Sequence, residues 1–303
     1  MPCTVTKKMN WKIDERIRRL SLGDAFRAMA DLALPRVCVV CGRELILKED
    51  CICMQCLSDL PQTWYWNVRC NPMAMRFNER IQALLDRQDE MGRSQSGAAL
   101  YEPFSFAAAL FFYSGDYRSI TRALKYHRNF AVGKYFASLL GRRLASSPLF
   151  GGHGSLEAGF AVPYEQAAGP GNSFPPVDLV VPVPLHWLRK LRRGYNQAEV
   201  VAQGVAAALA VPVCARLLVR RRRTRSQTSL SPEERQANVS SAFAVRQEVL
   251  RRFCRRHGSP RHILLIDDVF TTGATLLACH RAIRRVLGPE VLISVAALAV
   301  VGR

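Results

Sequence analysis

The chain reads as an α/β protein, a parallel sheet flanked by helices, with a small cysteine-bearing module at its N-terminal side. Three observations carry this expectation. Short apolar runs, Ile263-Leu264-Leu265-Ile266 above all, have the length and β-branching of strands buried on both faces. Three such runs lead through turns into stretches with apolar residues at helical spacing, the alternation that builds a parallel sheet. Ahead of them stand two Cys-X-X-Cys pairs, Cys38–Cys41 and Cys53–Cys56. Residues 1–95 are read as a helix and zinc-ribbon module, and residues 96–303 as the sheet domain.

Composition limits the partners. A chain of 303 residues suits one large or two modest domains, and a hydrophobic share of 49% fills a sizeable core. With 43 Lys and Arg against 24 Asp and Glu, the formal net charge is +19. Such a balance implies polyanionic company: nucleic acid, phosphorylated substrates or an anionic membrane surface. The longest strongly apolar run, Val291 to Val301, is 11 residues and reads as a late core strand, since a membrane span needs about 20. The first twenty residues lack the apolar core of a signal peptide. A cytoplasmic location is therefore expected, with the ten cysteines reduced rather than paired.

Taken in order, residues 11–34 carry Ile13, Ile17, Leu20, Phe26 and Met29 near one helical face, opposite Arg and Lys. Cys38, Cys41, Cys53 and Cys56 follow, enough thiolates for one tetrahedral zinc with no open position, hence a structural site. Gly42 suits the knuckle turn, and Cys51 is a spare thiol able to replace Cys53. Residues 76–100 are polar, a helix and a linker. Phe106 to Tyr113 is the first strand of the main domain, Asp116 to His127 a helix ending in Lys125-Tyr126-His127, and Phe130 to Leu144 another amphipathic helix. Residues 147–176, rich in Gly, Pro and Ser, are a long loop.

Asp178 to Gln197 (DLVVPVPLHWLRKLRRGYNQ) is an apolar strand closed by Pro182 and Pro184, then a cluster of Arg189, Lys190, Arg192 and Arg193, then a helix through Leu209. Cations are unfavourable at a helix start, whereas arginines after a strand end suit a pyrophosphate, which they contact bidentately. Arg220 to Asn238 has five Arg in its first six residues and no core-forming pattern, the character of a surface loop. Residues 246–257 are a basic helix with Arg251, Arg252, Arg255 and Arg256.

The chemical centre is Ile263 to Thr275, ILLIDDVFTTGAT. The apolar strand ends on Asp267 and Asp268, followed by Thr271-Thr272-Gly273-Ala274-Thr275 and a helix with Leu276, Leu277, His280, Ile283 and Leu287 at helical spacing. The carboxyl end of a parallel strand opens a crevice for ligands. Helix-start N–H groups beside threonine hydroxyls make a phosphate site, and Gly273 permits close backbone approach. Two adjacent carboxylates accept hydrogen bonds from a diol such as ribose. A Thr-capped turn without a ligand does not explain why two like charges sit side by side. No GxxxxGK[ST] and no helix-opening GxGxxG competes with this reading.

These thirteen residues resemble, position by position, the PRPP-binding motif of type I phosphoribosyltransferases. PRPP is the ribose phosphate-pyrophosphate donor of nucleotide synthesis. The resemblance implies that Asp267 and Asp268 hold the ribose hydroxyls, that Val269 and Thr271 to Thr275, with Gly273 and Ala274, surround the 5′-phosphate, and that Arg189, Arg192 and Arg193 face the pyrophosphate. Together with PVPLHWLRKLRRGYNQ, RSQTSLSPEERQANV and the cysteine pairs, the motif is similar to the ComF/GntX family, which is phosphoribosyltransferase-like and linked to DNA uptake in natural competence. The insertion at 147–176, the lone Cys70 and the basic helix at 246–257 depart from that pattern.

Three functions follow as expectations. The first is a PRPP-binding protein that handles incoming single-stranded DNA. The second is an active transferase in which Asp267 and Asp268 orient the ribose and Mg²⁺ bridges the pyrophosphate oxygens. The third is a scaffold with a vestigial site whose zinc ribbon meets a competence helicase or channel protein.

Overall fold

The computed structural model of the chain describes residues 35–90, 103–126, 129–150, 173–185, 191, 193–220 and 242–302. The N-terminal helix expected at 11–34, most of the 147–176 insertion, Arg189, Arg192 and all of the loop expected at 220–238 except Arg220, which ends a strand, lie outside the described residues. The strands are β1 (Ala107–Phe112), β2 (Leu179–Pro182), β3 (Leu218–Arg220), β4 (Phe243–Val245), β5 (His262–Phe270) and β6 (Leu292–Val300). The helices are α1 (Met54–Ser58), α2 (Pro72–Glu90), α3 (Arg118–Tyr126), α4 (Phe130–Ala145), α5 (Gln197–Leu209), α6 (Gln247–His257) and α7 (Ala274–Leu287).

A four-stranded sheet in the order β1-β6-β5-β2 forms the centre, with every neighbouring pair parallel. β3 and β4 make a separate antiparallel pair. The central strands are nearly continuous in apolar residues because helices cover both faces, so no alternation toward water is left. All nine residues of β6 and the first five of β5 are buried.

β5 does not end at the carboxylates. It runs through Asp267 and Asp268 to Phe270, because β6 continues beside it: Asp267 pairs with Ala297, Val269 with Ala299 and Phe270 with Val300. The apolar run alone marked the strand's end too early.

Small residues bring α4 and α5 together. A Cβ added at Gly204 would lie 2.5 Å from Ala137 Cβ, and one at Gly141 would lie 2.7 Å from Ala208 Cβ. That close packing sets α5, which starts at the candidate site, firmly beneath the sheet. His262 opens β5 fully buried, with Nδ1 2.6 Å from the Pro175 carbonyl and Nε2 2.8 Å from Ser294 Oγ. Burial pushes its pKa down to about 4, so the ring is neutral in the core.

The cysteine-bearing segment is tied to the first strand. Gln62 bridges Phe111, and the Phe112 N–H donates to the Pro61 carbonyl at 2.8 Å. The Thr63 hydroxyl donates to the Ala109 carbonyl. Asn71 caps α2 by accepting from the Ala74 N–H at 2.9 Å, while its amide donates to the Ala107 carbonyl at 2.8 Å. α2 then lays Phe77 edge-on to Phe270 and His280, which packs it over the end of β5 and the start of α7.

Candidate functional site

The carboxyl end of β5 carries the acidic pair into a tight turn. Gly273 stands at the N-cap of α7 with φ 75° and ψ 0°, the left-handed region that glycine alone occupies without strain. A Cβ there would meet Phe270 Cζ at 2.8 Å, so the turn is both left-handed and crowded. Thr271 and Thr272 are exposed, and Thr275 is half-buried. The Thr272 hydroxyl accepts from the Ala274 N–H at 3.4 Å. The first N–H groups of a helix have no partner within it, and the Thr271–Thr275 turn presents them next to hydroxyls.

Asp267 and Asp268 are consecutive near the end of β5, and their carboxyl groups lie close enough to interact. Asp268 points to the side of α3 and α5, where its Oδ2 lies 2.8 Å from Lys125 Nζ. Its Oδ1 accepts from the Val269 N–H at 2.9 Å. Asp267 accepts from the Asp268 N–H at 2.9 Å. Burial, and then the neighbouring Asp268 carboxylate, hold the Asp267 carboxyl well above the usual carboxylate range. The site thus sets a buried carboxyl, hard to ionise, beside a carboxylate paired to an ammonium.

The sequence marks Lys125 as part of a basic helix end that can face an anion or solvent. Its role becomes visible through a contact 143 positions away in the chain, Lys125 to Asp268. The helix end is itself held in place. Tyr195 donates its hydroxyl to the Leu124 carbonyl and packs its ring on Phe130 at 4.5 Å. Asn196 donates to the Val183 carbonyl at 3.0 Å, tying the proline-closed end of β2 to the start of α5. The Gly194-Tyr195-Asn196-Gln197 stretch that follows the cations therefore works through its tyrosine and asparagine. Arg193 donates to Gln197 Oε1 at 3.2 Å at the start of α5. Arg189 and Arg192 lie outside the described residues.

The second site is the cysteine cluster. Sγ atoms of Cys38, Cys41, Cys53 and Cys56 all lie within 4.8 Å of one another, with Cys41 and Cys53 at 3.8 Å. A zinc held tetrahedrally at about 2.3 Å places thiolates about 3.8 Å apart, so the four sulfurs fit that ion. Cys51 is not among them; it is buried, and desolvation pushes its thiol up to about 12. Burial also raises Cys38, but N–H groups of Cys41, Cys53 and Val40 outweigh it and bring the thiol to about 7. Gly42 turns the first knuckle at φ 74°. Glu49 braces the loop, accepting from the Met54 N–H at 2.6 Å and the Ile46 N–H at 3.1 Å. Tyr117, one turn before the helix that carries Lys125, donates to the Cys56 carbonyl at 3.1 Å and links the two sites.

No helix of the described residues is long and apolar enough to cross a membrane. No protein-family model matches the chain. Among curated proteins it is similar to Competence protein F of Haemophilus influenzae, with 34% identity over 113 residues, 37% of this chain and 46% of that protein. It is also similar to the DNA utilization protein YhgH of Escherichia coli K12, with 33% identity over 99 residues, 33% of this chain and 40% of that protein. The Salmonella typhi protein of the same name is 33% identical over 105 residues, 35% of this chain and 42% of that protein. The chain thus spans less than half the length of these relatives. Together with the motifs, these similarities support a resemblance to the ComF family.

Proposed function

We propose that the chain binds PRPP at the carboxyl end of β5 and takes part in handling incoming single-stranded DNA, from a cytoplasmic location. One observation carries the sugar site: a parallel strand delivers Asp267 and Asp268 next to a threonine-glycine turn that opens α7. Ribose hydroxyls donate to carboxylates, and the 5′-phosphate meets the N–H groups and hydroxyls of residues 271–275. Arg189, Arg192 and Arg193 hold the pyrophosphate. Mg²⁺, a hard cation taking carboxylate, water and phosphate oxygens, suits this donor set and neutralises the pyrophosphate when bound. Lys125 already pairs with Asp268, so the sugar either shares that carboxylate or displaces the ammonium toward a phosphate. The DNA role is supported by the names of the relatives and by the net charge of +19.

Calorimetric titration of PRPP into the wild-type protein and into the Asp267→Ala, Asp268→Ala double variant tests the site. Binding to the wild type that is lost in the variant supports it; equal affinity in both places the ligand elsewhere, and no binding leaves the scaffold reading with its helicase or channel partner.

A transferase has one observation in its favour. Two adjacent carboxyl groups stand in different surroundings, Asp268 paired with Lys125 at 2.8 Å and Asp267 buried, an arrangement that can separate acid from base. Pyrophosphate release with a panel of bases supports turnover, and silence across the panel removes it.

A further inference from the structure

The sugar-phosphate reading leaves α6 unexplained. Arg246, just before it, and Arg251, Arg252, Arg255 and Arg256 within it are exposed, as is Arg261 beyond its end. Among the described residues, no side chain of the six is paired with a carboxylate; Asp178, which lines the cavity below, accepts from the Arg261 backbone N–H at 2.7 Å. On a helix, residues four apart stand about 5–6 Å apart, so Arg251 with Arg255 and Arg252 with Arg256 are like-charge pairs that weaken the helix. The only acid in its first turn is Glu248. Its apolar residues Leu250 and Phe253 are buried in the core, and no large hydrophobic side chain is exposed along it. A helix that lies on a membrane needs an exposed apolar face, so this cationic face fits a phosphate backbone in water.

A second feature adjoins it. At the C-terminal end of α6 a cavity of about 340 Å³ is lined by Val177, Val211, Pro212, Phe253, His257 and Arg261, among others. The exposed His257 ring lies stacked on Phe253, centroids 4.8 Å apart at 29°. Charge beside an aromatic plane is the combination that holds single strands, whose unpaired bases can stack. Cavity and helix end lie at the amino ends of β2 and β5, the opposite end of the sheet from Asp267 and Asp268.

The geometry points to the arginine face of α6 as the surface that binds single-stranded nucleic acid, with the backbone along Arg251, Arg252, Arg255 and Arg256 and a base against His257 at the cavity mouth. The inference rests on the DNA-handling part of the proposed function and is independent of the sugar site.

Fluorescence anisotropy with a labelled oligothymidine, at several salt concentrations, tests it. The comparison is between wild type and a variant with Arg251→Gln, Arg252→Gln, Arg255→Gln and Arg256→Gln. Affinity should fall more than tenfold at low salt, and the slope of log K against log salt should flatten by about 0.7 per arginine engaged. A urea midpoint no lower than that of the wild type shows that the fold is intact. His257→Ala should weaken binding to oligothymidine and leave binding to an abasic strand unchanged. If the wild type binds the oligonucleotide and the four substitutions alter neither affinity nor slope, the surface is wrong while DNA handling stands. If the wild type does not bind it, both fall, and the PRPP titration is unaffected. Equal affinity for duplex overturns the single-strand assignment. Loss of binding to phosphatidylserine vesicles with unchanged oligonucleotide binding makes the face a membrane surface instead.

Discussion

Replacing Gly273 with alanine tests the cradle directly, because the structure gives both parts of its cost. The backbone at this position has φ 75°, where an L side chain costs about 1–2 kcal/mol. The new methyl would lie 2.8 Å from Phe270 Cζ and 2.9 Å from Cε2. Phe270 is 1% exposed and packed edge-on against Phe77 at 6.4 Å, so its ring has nowhere to move. Overpacking of that kind costs about 1–3 kcal/mol, which makes the total about 2–5 kcal/mol. Gly115→Ala is the control: its φ is +51°, and nothing lies within 4 Å of the added methyl, so only the backbone part, about 1–2 kcal/mol, applies. Urea denaturation of both variants at matched m-values reads the difference. The Gly273 variant should also lose PRPP affinity, since the turn that approaches the phosphate has to shift. A Gly273→Ala cost no larger than that of Gly115→Ala would refute the crowding argument, and unchanged PRPP affinity would refute the role of the turn.

Other outcomes follow from the same geometry. His262 has a pKa of about 4 in the fold against 6.5 outside it, so between those values the unfolded chain holds a proton that the folded chain does not. Its stability effect is lost as pH falls through that window and amounts to about 3 kcal/mol; buried His280 acts in the same direction. Asp267 opposes them, because its raised pKa makes the folded chain the better proton binder above the unfolded value. Asp267→Asn should therefore steepen the acid loss between pH 6.5 and 4 in equilibrium unfolding; a slope equal to wild type would contradict the assignment. Metal analysis should find about one zinc per chain, and Cys53→Ser should lose the metal and unfold the knuckles; a folded, metal-free wild type would remove the zinc claim. Tyr195→Phe keeps the ring on Phe130 but removes the hydrogen bond to Leu124, and should cost about 1 kcal/mol in the same denaturation experiment.

Much of the fold was legible because its signals are local. Buried parallel strands are written as apolar runs, and Phe106–Tyr113 and Val291–Val301 contain β1 and β6 almost to the residue. Cysteine spacing is also a local signal, and the four thiols expected at one metal stand together. The end of β5 was not legible, because hydrophobicity stops at Ile266 while the pairing with β6 continues to Phe270. The Cys53–Cys56 spacing also marked Cys53 as the ligand and Cys51 as the spare thiol, and the cluster holds Cys53 with Cys51 outside it.

What the chain alone determined is its periodicity and its chemistry: which segments are strands or helices, where acids, threonines and a glycine follow a strand, and how cationic the whole is. Tertiary structure decided which of these groups meet. Lys125 finds Asp268, Tyr195 finds Leu124, and Asn196 finds Val183. The reason is that a charge's partner depends on how strands far apart in sequence are ordered in the sheet, and that order comes from packing the whole core rather than from any one segment.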